Sequence, residues 1–135
     1  ITPLYSQRCG VRLDETRAQK KAEQWQKIAI SACEQCGRSV VPKINPIISM
    51  SEWIEKRDCV LSLTFDPTSR IRLRDLEINH SLRILVGSEG GLSEDEIEKT
   101  HTAGFKSVSL GPRILRTETA ALAALAIIGS HFGDI

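Results

Sequence analysis

No apolar run in this sequence approaches the roughly 18 residues that carry a helix across a bilayer. The longest, residues 120–128, is a short block of Ala, Leu and Ile. Familiar phosphate cradles are missing too, since neither G-x-G-x-x-G nor G-x-x-x-x-G-K-[ST] occurs. Cysteine is sparse, with 4 in 135 residues. Cys33 and Cys36 form one C-x-x-C, but no second C-x-x-C and no H-x-x-x-H completes a tetrahedral metal set. Both fall on the apolar stripe of an expected helix, where free cysteine behaves as a small hydrophobe. No metal is therefore expected. His80, His101 and His131 share no spacing with a candidate base or ligand and read as surface residues.

Apolar content of 41% and charged content of 26% are those of an ordinary globular protein. The length fits one domain with a single core. The chain opens Ile1-Thr2-Pro3, without methionine and without a secretory-signal pattern. The expectation is a piece of a longer protein from a reducing, cytoplasmic compartment, with residues 1–13 as the tail of a linker. Net charge is only +1, yet residues 1–45 hold eight Lys and Arg against four acids. Such a basic end suits nucleic acid, and it equally suits a solvated helix face.

A helix is expected from Asp14, because Trp25, Ile28, Ala29, Ala32, Cys33 and Cys36 keep the spacing of one face. Gly37 is placed to end it in the left-handed conformation. Val40-Val41 opens a short extended piece that Pro42 limits. Ser49 to Glu52 has capping-box spacing, predicting a short helix over residues 52–56 that Asp58 closes. Residues 59–65 (CVLSLTF) form a buried strand ended by Asp66-Pro67, and residues 68–80 a loop. Residues 82–86 and 106–110 are further strands; runs without alternation are typical of parallel strands covered on both faces. Ser93 to Glu96 is a second capping box, opening a helix that ends at Gly104. The last helix, residues 117–131, is apolar on nearly every side, which in a small domain points to a second subunit against it. The pattern is α/β, with a mainly parallel sheet and helices on both faces.

Two glycine turns stand out, each entered from a strand and followed by a helix. One is Leu85-Val86-Gly87-Ser88-Glu89-Gly90-Gly91-Leu92. The other is Leu110-Gly111-Pro112-Arg113-Ile114-Leu115-Arg116-Thr117-Glu118-Thr119-Ala120. Strand, glycine turn and helix is how α/β domains bring backbone N–H groups close to a ligand. The acidic Glu89 argues against a phosphate at the first turn.

These turns resemble the G-P-E-G-G and L-G-x-R-I-L-R-x-E-T-A signatures of the RsmE-type family. Its members are bacterial small-subunit ribosomal RNA uridine-N3-methyltransferases of the SPOUT superfamily. Trp25 to Ala29, Glu34 to Arg38 and the ending Phe132-Gly133-Asp134 are similar to the family as well. Ser88 stands where the family has proline, a change expected to loosen that turn while removing no functional group.

The resemblance implies a C-terminal trefoil knot, S-adenosylmethionine as cofactor and small-subunit ribosomal RNA as partner; the apolar last helix adds the expectation of a homodimer through it. It also implies a small N-terminal RNA-binding β-barrel that this chain lacks. Residue by residue, it places the cofactor against Leu63, Thr64 and Phe65, against Gly87, Glu89, Gly90 and Gly91, and against Leu110, Gly111, Ile114, Leu115 and Thr117. Arg116 and Glu118 become the catalytic pair, and Gln35 and Arg38 face the RNA. Plainer roles stay open: core packing for Ile114 and Leu115, a helix-dipole partner for Glu118 that Arg116 pairs with, and a dipole-favoured charge for Arg38. The competing functions are a non-catalytic or differently targeted SPOUT-type RNA-binding module, acting on transfer RNA or in ribosome assembly, and an unrelated nucleotide-binding domain.

Overall fold

The computed structural model describes residues 1–56, 61–78 and 81–133, with the backbone alone at Phe132. Asp58 as a helix end, the Cys59 start of the predicted strand, His80 and Asp134 lie outside the described residues. The chain divides into two compact units. The first is Ile1–Tyr5 with Gly10–Trp53, and the second is Ser6–Cys9 with Ile54–Ile135.

In the first unit, β1 (Leu4–Tyr5) pairs in parallel with β2 (Ile48–Ser49), and α1 spans Glu15–Cys36. Asp14 caps α1 by accepting from Arg17 N at 2.8 Å, and Gly37 ends it at φ 73°, as the spacing predicts. The apolar stripe is only partly covered: Cys33 is buried, but Ile28 is 58% exposed. The extended piece expected at Val40-Val41 is absent, and both side chains are exposed. Gln26 explains the difference. Its amide donates to Pro42 O at 3.2 Å and its carbonyl accepts from Ile44 N at 2.8 Å, so residues 42–44 are clipped to α1 instead of to a strand. The two thiols of the C-x-x-C lie near backbone carbonyls, Cys33 Sγ by Val40 O and Cys36 Sγ by Cys33 O. α2 (Met50–Glu55) starts two residues earlier than expected, with Ser49 Oγ accepting from Glu52 N at 3.1 Å.

The second unit is built on a parallel sheet ordered β4-β3-β5. Its strands are β3 (Leu61–Phe65), β4 (Leu82–Leu85) and β5 (Lys106–Val108). β3 lies in the middle: Leu63 aligns with Ile84 on one side and Lys106 on the other. The polar stretch after β3 is mostly turn, with a 3₁₀ segment at Leu73–Asp75 and a one-residue bridge from Arg72 to Ser109. α3 (Glu94–Thr102) carries the complete capping box of Ser93 and Glu96. Gly104, at φ 86°, turns the chain back into β5. α4 covers Thr117–Phe132.

The core gathers Leu63, Leu73, Ile78, Val108 and Ala124, with Ile127 and Ile128 packed on it. α4 is therefore buried along one side only; Leu122 is 69% and Leu125 57% exposed. Among the described residues, no helix is long and apolar enough to cross a membrane. Leu63 is wholly buried on the central strand, so Leu63→Ala should cost about 2–5 kcal/mol of stability, read from the denaturant midpoint.

Candidate functional site

Three parallel strands release their chain on the same edge of the sheet, and a cavity of about 660 Å³ lies there. Its walls are the segments that follow each strand: residues 65–68 after β3, 86–92 after β4, and 108–120 after β5, with Ile97 of α3 adding an apolar patch. Crevices at the carboxyl ends of parallel strands are where open α/β sheets bind ligands. The volume lies within the roughly 300–1,000 Å³ typical of small-molecule sites.

The first turn is tightly tied. Gly91 N–H donates to Ser88 O at 2.8 Å, with Gly91 at φ 70°. A Cβ on Gly87 would stand 3.0 Å from Gly91 C and Leu92 N, so the turn folds over a position that holds no side chain. The Ser88 hydroxyl lies 3.3 Å from both Arg8 O and Gly91 O.

Residues 6–9 strap this turn from outside. The Arg8 guanidinium donates to Gly90 O at 2.9 Å and Gln7 N–H to Glu96 Oε1 at 2.7 Å. Glu96 is buried, and its other oxygen accepts from Ser93 N at 2.9 Å. One capping carboxylate thus serves both its own helix and the strap. Gln7 Nε2 also donates to Asp95 Oδ2 at 3.0 Å, where Lys99 Nζ stands 2.8 Å away. The hydrogen bond and charge of Lys99 hold that carboxyl below its ordinary range.

The second turn is more open. Gly111 sits at φ 134° with free space where a Cβ would be. Ile114 is 83% exposed, which removes core packing as its role. Leu115 is half-buried, and Arg116 precedes α4 in extended conformation with no capping bond from its side chain. Arg116 and Glu118 both line the cavity and both are exposed. Among the described residues no hydrogen bond or ion pair joins them, so the simple pairing considered from sequence is not formed.

Phe65, Gly87, Glu89, Gly90, Gly91, Leu110, Gly111, Ile114, Leu115, Thr117, Arg116 and Glu118 are thus brought together on one cavity. Leu63 and Thr64 are not. Both are fully buried inside β3, because a residue within a central strand faces the sheet's two covers, not its edge. Gln35 and Arg38 lie exposed at the end of α1 in the other unit. Reasoning from sequence missed Asp66, Thr68, Ser109 and Arg113, which also line the cavity. The available signal was Asp66-Pro67 itself: the residues that stop a strand are the ones at its ligand-facing end. Among the described residues, no group of three His, Cys, Asp or Glu could hold a metal ion.

Fold and site together define an α/β domain with a ligand cavity on the carboxyl edge of a parallel sheet. Residues 1–129 match the RNA methyltransferase domain family, and the chain belongs to that family. It is 39% identical over 137 aligned positions to the ribosomal RNA small subunit methyltransferase E of Buchnera aphidicola from Schizaphis graminum, covering 100% of this chain and 56% of that protein. The crystal structure of a ribosomal RNA small subunit methyltransferase E from Neisseria gonorrhoeae, bound to S-adenosylmethionine, superposes with a TM-score of 0.91 at 43% identity. That match covers 98% of this chain and 56% of the other. A Legionella pneumophila protein solved with the same cofactor gives a TM-score of 0.94 at 38% identity, over 99% and 56% of the two chains. The chain therefore spans little more than half the length of these relatives.

Thr64 provides a check on the boundary of the site. Its Oγ1 is buried without a hydrogen-bond partner among the described residues, so Thr64→Val removes an unsatisfied hydroxyl at nearly constant shape. We expect stability to stay level or rise by about 1 kcal/mol, with ligand affinity unchanged by calorimetry.

Proposed function

We propose that the protein containing this domain transfers a methyl group from S-adenosylmethionine to N3 of a uridine in small-subunit ribosomal RNA. The observation that supports this most is the meeting of the two motif turns on one cavity. They lie nearly 20 residues apart and come together only through the parallel order of β3, β4 and β5.

The cavity fits the cofactor. At Gly91 and Gly111 nothing stands within 4 Å of where a Cβ would be, leaving backbone open to close approach. Leu92, Ile97, Leu110 and Leu115 give an apolar wall for an adenine ring. When bound, S-adenosylmethionine supplies the electrophilic methyl group. The chain must do the rest: hold the uridine in line, and deal with the N3 proton that makes this nitrogen a poor nucleophile. Glu118 offers a carboxylate to accept the proton. Arg116 offers a guanidinium to stabilise the anion left on the base. Neither is committed to another side chain of the described residues, and both stand at the cavity where α4 begins.

Several finer features belong to the same proposal. RNA contact is assigned to Gln35 and Arg38, to the basic surplus of residues 1–45, and to an N-terminal β-barrel in the remaining length of the full protein. The C-terminal trefoil knot is carried over from the family. A homodimer through α4 is supported by Leu122 and Leu125, large apolar side chains exposed on that helix. A cytoplasmic location follows from the substrate.

The test is single-turnover methylation of undermethylated small subunits by the full-length protein, with cofactor affinity measured alongside. Arg116→Ala should lower the rate by about 100-fold, as loss of a charge-stabilising donor does elsewhere, while affinity for S-adenosylmethionine changes little. Equal losses in both would make Arg116 a cofactor or structural residue. Cofactor binding by the wild type without methyl transfer to subunits would favour the non-catalytic or differently targeted module.

A further inference from the structure

The residue after β3 has an unusual share of its bonding fixed and one part left open. Asp66 N–H donates to Val108 O at 3.0 Å, carrying the β3–β5 pairing one step past the Phe65–Val108 register. Ser69 N–H donates to Asp66 O at 3.1 Å and closes a turn. In the side chain, Oδ1 accepts twice from Thr68, from its N–H at 2.9 Å and its hydroxyl at 2.7 Å. Those two bonds set the carboxyl plane. Oδ2 has no hydrogen-bond or ion-pair partner among the described residues, although Asp66 is only 9% exposed and lines the cavity.

Unlike the sealed Oγ1 of Thr64, this oxygen is open to solvent at the cavity, where a water or a ligand donor can supply the bond that the described residues do not. No lysine, arginine or histidine among the described residues pairs with it. We propose that Asp66 is a ligand-reading residue, whose Oδ2 accepts a hydrogen bond from an N–H or O–H donor of the cofactor. The inference rests on the reading of this cavity as an S-adenosylmethionine site. That molecule carries two sources of such donors, the hydroxyls and exocyclic amine of its adenosine and the ammonium of its methionine part. Thr68 is then a positioning residue: it occupies Oδ1 and so decides which oxygen meets the ligand.

Asp66→Asn tests this sharply. The Thr68 N–H can only donate, so the new amide must keep its oxygen there and turn its NH₂ to the ligand. An acceptor becomes a donor with almost no change of shape. We expect affinity for S-adenosylmethionine by calorimetry to fall by about 10- to 100-fold, with the thermal unfolding midpoint unchanged. 5′-Methylthioadenosine, which keeps the adenosine and lacks the ammonium, separates the two sources. A matching loss assigns the bond to the adenosine, and a loss seen only with S-adenosylmethionine assigns it to the ammonium. Unchanged affinity for both overturns the inference and leaves the cofactor reading standing. Should the variant fail to fold, the wild-type chain is titrated with analogues lacking each donor in turn; if all bind like the parent, Asp66 accepts nothing and the inference fails. A wild-type chain that binds no S-adenosylmethionine removes the cofactor reading itself, and this inference with it.

Discussion

Pairing of β3 on both edges with strands of its own direction is the constraint from which the site follows. In an antiparallel sheet, consecutive strands would deliver their loops to opposite ends. Here β4, β3 and β5 all run one way, so the three segments that leave them must emerge together. Two of those segments carry a glycine close to the exit, Gly87 after β4 and Gly111 after β5. The cavity is what remains between three turns forced to the same edge and kept from filling it. α4 then begins at that edge, which sets Arg116 and Glu118 there with no hydrogen bond or ion pair between them among the described residues.

Local signals in the sequence carried most of the elements, because they act within a few residues. Asp14, Gly37, Ser49, Ser93 with Glu96, and Gly104 each satisfy or reverse a backbone end regardless of what packs nearby, and each was legible. Signals that depend on the rest of the fold were less so. The stripe on α1 has helical period, yet period states which residues share a face, not whether anything covers it; Ile28 is left exposed. Val40-Val41 has the composition of a strand but pairs with no strand among the described residues, and Gln26 holds the backbone next to it. α4 reads as apolar on all sides, while its tertiary contacts use one.

The same distinction separates the legible and illegible parts of the site. Both glycine turns were visible, since glycine at a strand-to-helix junction has a local meaning. Of the β3 residues named from sequence, only Phe65 lines the cavity. Leu63 and Thr64 are drawn in by likeness to a family segment, but they lie deeper in the strand, and only from Phe65 onward does the chain face the cavity. From sequence, Asp66 reads only as the stop of the strand. No rule of periodicity assigns its second oxygen a purpose; that needs the first oxygen's partners, which appear only in three dimensions. The strap of residues 6–9 was likewise unreadable, because 82 residues separate Arg8 from Gly90.

That strap changes what Glu96 is. A capping-box glutamate ordinarily answers to its own helix, and its loss frays one turn. Here its two oxygens go to Ser93 and to Gln7, while Arg8, next in the chain, holds Gly90. Unfastening the helix start therefore frees a segment from the far end of the sequence and slackens the glycine turn in one event. Residues 6–9, remote in the chain, thus bear on both the glycine turn and the helix start that follows it, and amide exchange at the glycine turn should report on the order of residues 6–9.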